Sequence, residues 1–371
     1  MRKSRRSLAF SVVLVTVIAL LLSGCAGAEP TATPTKAPAS TAPAPAAAAP
    51  AAAKGGDVEA CKKEGKFVFY TTQIEEQIPA LTKPYTDKYP FVNTSEYLRL
   101  QTGKLYAKIT AEMDAGTKAA DVLQITEISM ALDFQKKGGW LSYISPSYAE
   151  YDKKFLSDPL GQWGIFKLQV FGMAYNTDVL KPDEAPKTWQ DLLDPKWKGA
   201  INFKDSASGG QYNQWHMLRA LFGEEYWQKM EAQKPIGLAS TTQQFERLIN
   251  RQDKIIGLAQ SSTYAINKGK GAPLALVLPK EGVAYITQQA GVVKDAPHPE
   301  CAKLFVDTLF SVEGQAAVVN VAQDYSAHPK APLTAGTPPL TEMNLYIPKD
   351  WDEYYATNEK WAPIWNKIVG M

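Results

Sequence analysis

An α/β protein of two lobes is the fold class this sequence predicts, and three observations predict it. The chain has 371 residues, too many for one simple core and enough for about two lobes of ~150 residues each. Strand-like and helix-like patterns alternate along most of it, the order that builds parallel sheets with helical crossovers. Its composition, 45% hydrophobic and 21% charged, is that of an ordinary globular chain and excludes fibrous and wholly disordered classes.

The elements follow in order. Residues 65–72 read as a buried strand ending in a polar turn, and Ile74, Ile78, Leu81 and Tyr85 then recur at helical spacing. Residues 91–98 read as a second strand. Thr102 can cap a helix carrying Leu105, Ile109 and Met113, and 120–126 is a third strand. In such sheets ligands sit at the carboxyl ends of the strands, beside helix N-termini. The apolar stretch 163–175 is long enough to run from one lobe into the next. A turn with a short helix is expected at 176–182, a capped amphipathic helix at 188–193 and a strand at 199–203. Helical spacing returns over 211–221 and at Phe245, Leu248 and Ile249. Residues 255–259, 273–279 and 283–293 read as strands, and Ala302, Phe305, Val306, Leu309 and Phe310 as one helix face. The tail, with Trp351, Tyr354, Tyr355, Trp361 and Trp365, is expected to pack as helices. No internal repeat is present.

The first sixty residues depart from this average. Arg2, Lys3, Arg5 and Arg6 precede an apolar run at 8–22, shorter than the ~20 residues a spanning helix needs. The run ends in LSGC at 22–25. This resembles the bacterial lipoprotein signal, which implies cleavage before Cys25 and lipidation of its thiol; the alternative is an uncleaved anchor. Either way the folded part is expected outside the cytoplasm. Cleavage removes four basic and no acidic residues, so the formal charge moves from +2 to −2. A near-neutral chain without a basic run has no footprint for nucleic acid. Residues 26–57, largely Ala, Pro and Thr, read as an extended tether. Beyond Cys25 two cysteines remain, Cys61 and Cys301, an even pair that reads either as a disulfide or as two separate buried thiols. His216, His298 and His328 are too few and too scattered for a zinc site.

Several strings stand in a telling order: AYNT at 174–177, PKTWQDLLDPKWKG at 186–199, PKEG at 279–282, APHP at 296–299, AKLFVD at 302–307 and EGQ at 313–315. Together they resemble the extracellular solute-binding proteins of ABC importers, in particular the branch containing ferric-iron-binding proteins. The resemblance covers roughly residues 58–340. It implies a type 2 periplasmic-binding-protein fold, with lobe 1 from 58–165 and 282–315, lobe 2 from 166–281, and a C-terminal helical segment at 316–371 packed on the lobes. It also implies a return of the chain that brings the helix of Cys301 into the lobe of Cys61.

Loops between strands and helices would line the cleft with amide hydrogens and hydroxyls suited to an anion. The candidates are Thr71 and Thr72; Ser206, Ala207, Ser208 and Gly209; Ser240 and Thr241; and Ser261 and Tyr264. Each loop reads equally as an ordinary helix cap. Ferric relatives grip iron with paired phenolates, a carboxylate and often a histidine. Against that pattern Tyr264 and Glu127 match, Thr263 breaks the tyrosine pair and Ile74 stands at the histidine position. Tyr70, Tyr175 and Tyr212 are further phenols, and Arg99, Lys104 and Arg219 are candidate cations.

The expected function is capture of a small anionic solute (an organic acid, phosphonate or similar oxyanion) and its delivery to an ABC permease with its ATPase. The alternatives are Fe(III), held by Glu127 and Tyr264; a cationic or neutral nutrient such as a polyamine or thiamine; a ligand-sensing module; and an extracellular hydrolase. No Gly-x-Ser-x-Gly elbow or His-Glu-x-x-His helix supports the last. A lipid-anchored, extracytoplasmic monomer that is not an enzyme and uses no cofactor, with Fe(III) only as cargo, is the sum of these expectations.

Overall fold

The computed structural model describes residues 54–93 and 96–371. The signal segment with Cys25, and the expected tether as far as residue 53, lie outside the described residues. Residues 54–57 belong to the fold rather than to the tether. The Gly56 N–H donates to Asp307, the Asp57 N–H donates to Glu300, and the Asp57 carboxylate caps the first helix.

The chain runs α1 (Val58–Glu64), β1 (Phe69–Thr71), α2 (Ile78–Lys88), β2 (Tyr97–Arg99), α3 (Thr102–Asp114), β3 (Val122–Ile125) and α4 (Ile128–Lys136). β1 pairs in parallel with β2 and with β3. Then β4 (Gly164–Asn176) leads to β5 (Ile201–Lys204), α5 (Gly209–Phe222), α6 (Glu224–Ala232), β6 (Ile236–Leu238), α7 (Thr241–Ile249), β7 (Ile255–Gln260), α8 (Ser261–Gly269) and β8 (Leu274–Val277). β5 pairs in parallel with β6 and β7. The chain returns through β9 (Ala284–Val292) to α9 (Pro299–Leu309), α10 (Val312–Ala322) and β10 (Tyr325–Ser326), and ends in α11 (Trp351–Ile368).

Two strands carry the architecture. β4 is buried at every position except Gln169, because it pairs antiparallel with β9 on one side and with β7, β8 and β10 elsewhere along its length. Residues through Val170 join the first hydrophobic core; Phe171, Met173 and Tyr175 join the second. β9 crosses the other way, from Ala284 in the second core to Ala290 and Val292 in the first. The result is a sheet in the order β2-β1-β3-β9-β4-β7-β5-β6 that passes from one lobe to the other. A third crossing follows β10: Leu345 bridges Val283, and the chain then reaches α11.

Two expectations need correction. The helix expected at 188–193 is a 3₁₀ turn over Gln190–Leu193; Asp194 precedes Pro195 and is held extended, which stops an α-helix there. Residues 176–182 form turns without a helix, the Asn176 side chain accepting the Asp178 N–H. The C-terminal 316–371 segment is divided between the lobes: Val318 and Tyr325 lie in the first core, whereas Trp361, Trp365 and Ile368 of α11 lie in the second. The Trp365 indole is fully buried and its N–H donates to the Lys204 carbonyl at 2.7 Å. Cys61 and Cys301 form a disulfide that staples α1 to α9.

Candidate functional site: a cleft at the hinge

The register places the site. β7 ends at Gln260 opposite Phe171, and β3 ends at Ile125 opposite Gln289. The carboxyl ends of the parallel strands of both lobes therefore converge on the hinge, where β4 changes core between Val170 and Phe171. Helices start there in each lobe: α4 after β3 in the first, and α5, α7 and α8 after β5, β6 and β7 in the second.

In the first lobe a hydrogen-bonded layer of amides and hydroxyls forms the floor. The Thr71 hydroxyl is fully buried, donates to Gln124 Oε1 at 2.7 Å and accepts the Gln73 N–H. It is spent within the lobe. The N–H and hydroxyl of Thr72 both reach Gln124 Oε1, and its hydroxyl shares a 2.8 Å bond with Thr126. Gln124 and Gln73 both donate to Gln288 on β9. Beneath them Lys167 on β4 donates to Gln73 Oε1 at 3.2 Å and pairs with Asp324 at 3.2 Å, both side chains 3% exposed. Lys167 is a charged residue inside the apolar stretch 163–175, a signal that could have singled it out; only the fold reveals its partner Asp324.

Glu127 is the N-cap residue of α4, but its carboxylate makes no capping bond. The side chain is solvent-exposed and borders a pocket that Tyr285 and Tyr354 also line. Those neighbours exclude part of its hydration and push its pKa up. Across the cleft, a Cβ added to Gly209 at the start of α5 would stand 3.4 Å from Glu127 Oε1.

In the second lobe Ser208 caps α5 by accepting the Gln211 N–H, which leaves the first-turn N–H groups of Gly209 and Gly210 without intrahelical partners. Glycine at 210 is needed, because a Cβ there would lie 2.5 Å from the Phe171 ring. Ser206 and Ala207 form the turn before the cap, in which Asp205 accepts the Ala207 N–H. Ser240 caps α7 by accepting the Gln243 N–H, and Thr241 opens its first turn. α8 has no side-chain cap, and the fully buried Ser261 hydroxyl at its first position has no partner among the described residues. Tyr264, 6% exposed, lies with Phe245 and Leu274, its hydroxyl 3.9 Å from where a Cβ on Gly336 would be. Burial, then the neighbouring Tyr175, raises its pKa.

The structure thus brings Glu127 against Gly209 and Tyr264 against the turn of Gly336. Of the other phenols, Tyr175 is a neighbour of Tyr264, whereas Tyr70 and Tyr212 are occupied elsewhere. Tyr70 donates to Glu112, with burial first and Glu112 second pushing its pKa up to about 12. Tyr212 donates to the Tyr354 carbonyl. Ile74 is 55% exposed and offers no donor. Arg219 pairs with Glu224 and Glu353, Arg99 donates to the Gln73 carbonyl, and Lys104 is exposed.

Two α/β lobes joined by crossing strands, with a polar cleft at the carboxyl ends of their sheets, define a type 2 periplasmic-binding-protein fold. Residues 128–356 match the family described as bacterial extracellular solute-binding protein. An uncharacterized protein of Haemophilus influenzae is 30% identical over 266 residues, covering 68% of this chain and 75% of that protein. Iron uptake protein A1 of Synechocystis sp. is 26% identical over 278 residues, covering 63% of this chain and 73% of that protein. The solved structure of AfuA from Actinobacillus pleuropneumoniae, with fructose-6-phosphate bound, superposes with a TM-score of 0.64 at 26% identity and covers 83% of this chain and 99% of its own. The chain belongs to the bacterial extracellular solute-binding protein family. It is a solute-binding protein of ABC importers and works outside the cytoplasm.

Proposed function

We propose that this protein captures a small organic solute bearing an oxyanion and delivers it to its permease from a lipid anchor at Cys25. One observation carries the reading: α5 and α8 begin at strand ends with first-turn amides that have no intrahelical partner, and at α8, beside Phe171 on the hinge strand, the buried Ser261 hydroxyl is also unpartnered among the described residues. A buried hydroxyl without a partner costs about 1–3 kcal/mol, and an anion accepting its proton together with those amides removes that cost. The AfuA structure, holding a sugar phosphate, agrees with this class of solute. The cycle needs no cofactor and no covalent step. Solute contacts with both lobes favour the closed arrangement, and bending falls on the three crossings, at β4 near Phe171, at β9 and at the segment around Leu345.

A second reading has specific support. Tyr264 and Glu127 keep two oxygens of the ferric pattern, and the Synechocystis relative is named for iron uptake. Against it stand Thr263, the donorless Ile74, and a Tyr264 phenol whose burial disfavours the phenolate. Native mass spectrometry and metal analysis of protein purified without denaturation separate the two. A co-purifying oxyanion and metal-free protein support the first reading. A stoichiometric iron load with a visible charge-transfer band overturns it.

A further inference from the structure

The hydrogen-bonded floor of the first lobe has a fixed direction, and Lys167 sets it. An ammonium donates and never accepts. Gln73 therefore turns its Oε1 to Lys167 and its Nε2 to Gln288 Oε1. Gln288 Oε1 is then an acceptor, so Gln124 presents its own Nε2 there and its Oε1 to Thr71 and Thr72. The Thr72 backbone N–H, which also can only donate, meets the same Oε1 and requires the same orientation. Thr71, Gln73, Gln124 and Lys167 are buried, which keeps water from reversing these assignments.

The consequence falls on the two half-buried hydroxyls at the strand ends, Thr72 and Thr126. Thr72 Oγ1 lies 3.1 Å from Gln124 Oε1. Two oxygens that close repel unless a proton lies between them, so the single hydroxyl proton of Thr72 is spent there. The 2.8 Å bond between Thr72 and Thr126 then uses the proton of Thr126. Thr126 Oγ1 is left with lone pairs and no proton to give, and it makes no other hydrogen bond among the described residues. Thr126 borders the space between the lobes, with Asn213 of α5 across it.

An acceptor is the wrong group to hold an oxyanion and the right one to hold a donor. An uncharged hydroxyl oxygen offers nothing to neutralise an ammonium, so the donor that matches it is a hydroxyl. We propose that the solute carries a hydroxyl as well as its oxyanion, and that Thr126 accepts a hydrogen bond from that hydroxyl. Lys167 is the positioning residue that orients Thr126 through Gln73, Gln288, Gln124 and Thr72. This rests on the oxyanion reading above and adds the neutral end of the solute to it: the second lobe takes the charge and the first lobe takes the hydroxyl.

Calorimetry tests the proposal with ω-hydroxyalkyl phosphonates and carboxylates, from hydroxyethyl to hydroxyhexyl, each against its alkyl and its ω-methoxy counterpart. The methoxy group keeps the oxygen and lacks the proton. At least one hydroxyl probe is expected to bind about fivefold or more tighter than both counterparts. Thr126→Val is expected to bring that probe down to the level of its alkyl counterpart, and Thr126→Ser to keep the preference. Lys167→Met/Asp324→Leu, which removes both buried ions together, is expected to lose the preference as well, because Gln73 is then free to turn. Equal binding within every set, or a methoxy probe that binds as tightly as the hydroxyl one, overturns the proposal and leaves the oxyanion reading standing. A preference that survives in Thr126→Val overturns the assignment to Thr126, and one that survives in the double variant overturns the role of Lys167. Binding of no probe in any series overturns the oxyanion reading as well.

Discussion

Lys167 gives the most direct quantitative test of how the hinge is built. Its ammonium and the Asp324 carboxylate are 3.2 Å apart with both side chains 3% exposed, and Asp324 Oδ1 has no hydrogen-bond partner among the described residues. At that separation the attraction is about 5 kcal/mol for an effective dielectric of ~20, and desolvation of both ions offsets much of it. Removing one partner leaves the other buried and unpaired, at a cost of about 3–5 kcal/mol. Lys167→Met and Asp324→Leu are each expected to lose about that much in urea unfolding followed by far-UV circular dichroism at pH 7. The double variant Lys167→Met/Asp324→Leu removes both ions and fills the space. It is expected to fall within about 1 kcal/mol of the parent or to exceed it, which corresponds to a coupling of at least ~5 kcal/mol in the mutant cycle. A loss under ~1 kcal/mol for Lys167→Met, or additive singles, refutes the claim that the pair is desolvated in solution.

Two further outcomes follow from the same physical reasoning. The disulfide joins cysteines 240 positions apart, so Cys61→Ser/Cys301→Ser is expected to lose about 2–5 kcal/mol; a double variant that melts at the temperature of the parent refutes this. His216 holds α11 to α5: its ring nitrogens lie 2.7 Å from the Tyr346 hydroxyl and 2.7 Å from Glu353, and burial keeps its pKa below the ordinary 6.5 despite Glu353. The unfolded chain then binds the proton more readily, so the anchor is intact above about pH 6.5 and weakens as pH falls toward the folded value. Hydrogen exchange over 351–368, corrected for intrinsic rates, should be faster at pH 5.5 than at pH 7.5; equal protection removes His216 from this role.

The alternation of β1, α2, β2, α3 and β3, and the long hinge strand β4, were legible in the amino-acid sequence because periodicity is local: side chains alternate in a strand and repeat every 3.6 residues in a helix. The family strings were legible for the same reason, each being a contiguous cap, turn or helix start. The bounds and types of short elements were not: the strand read at 91–98 is Tyr97–Arg99. The 3₁₀ turn at Gln190–Leu193 carries a helical pattern that Pro195 cuts off, and β6 has only three residues, all half-buried.

What the sequence by itself determined is therefore the class: two α/β lobes, strand ends that lead into helix N-termini, and the loops in which amides and hydroxyls gather. Only the tertiary structure decided which of those groups are free. It consumed the Thr71 hydroxyl on Gln124, tied Tyr212 to α11, buried Lys167 against Asp324, and left the Ser261 hydroxyl and the Glu127 carboxylate without partners among the described residues. The reason is that pairing depends on what the register of β4 and β9 brings across from distant parts of the chain. Asp324 lies 157 positions from Lys167, and no local pattern in either segment encodes that meeting.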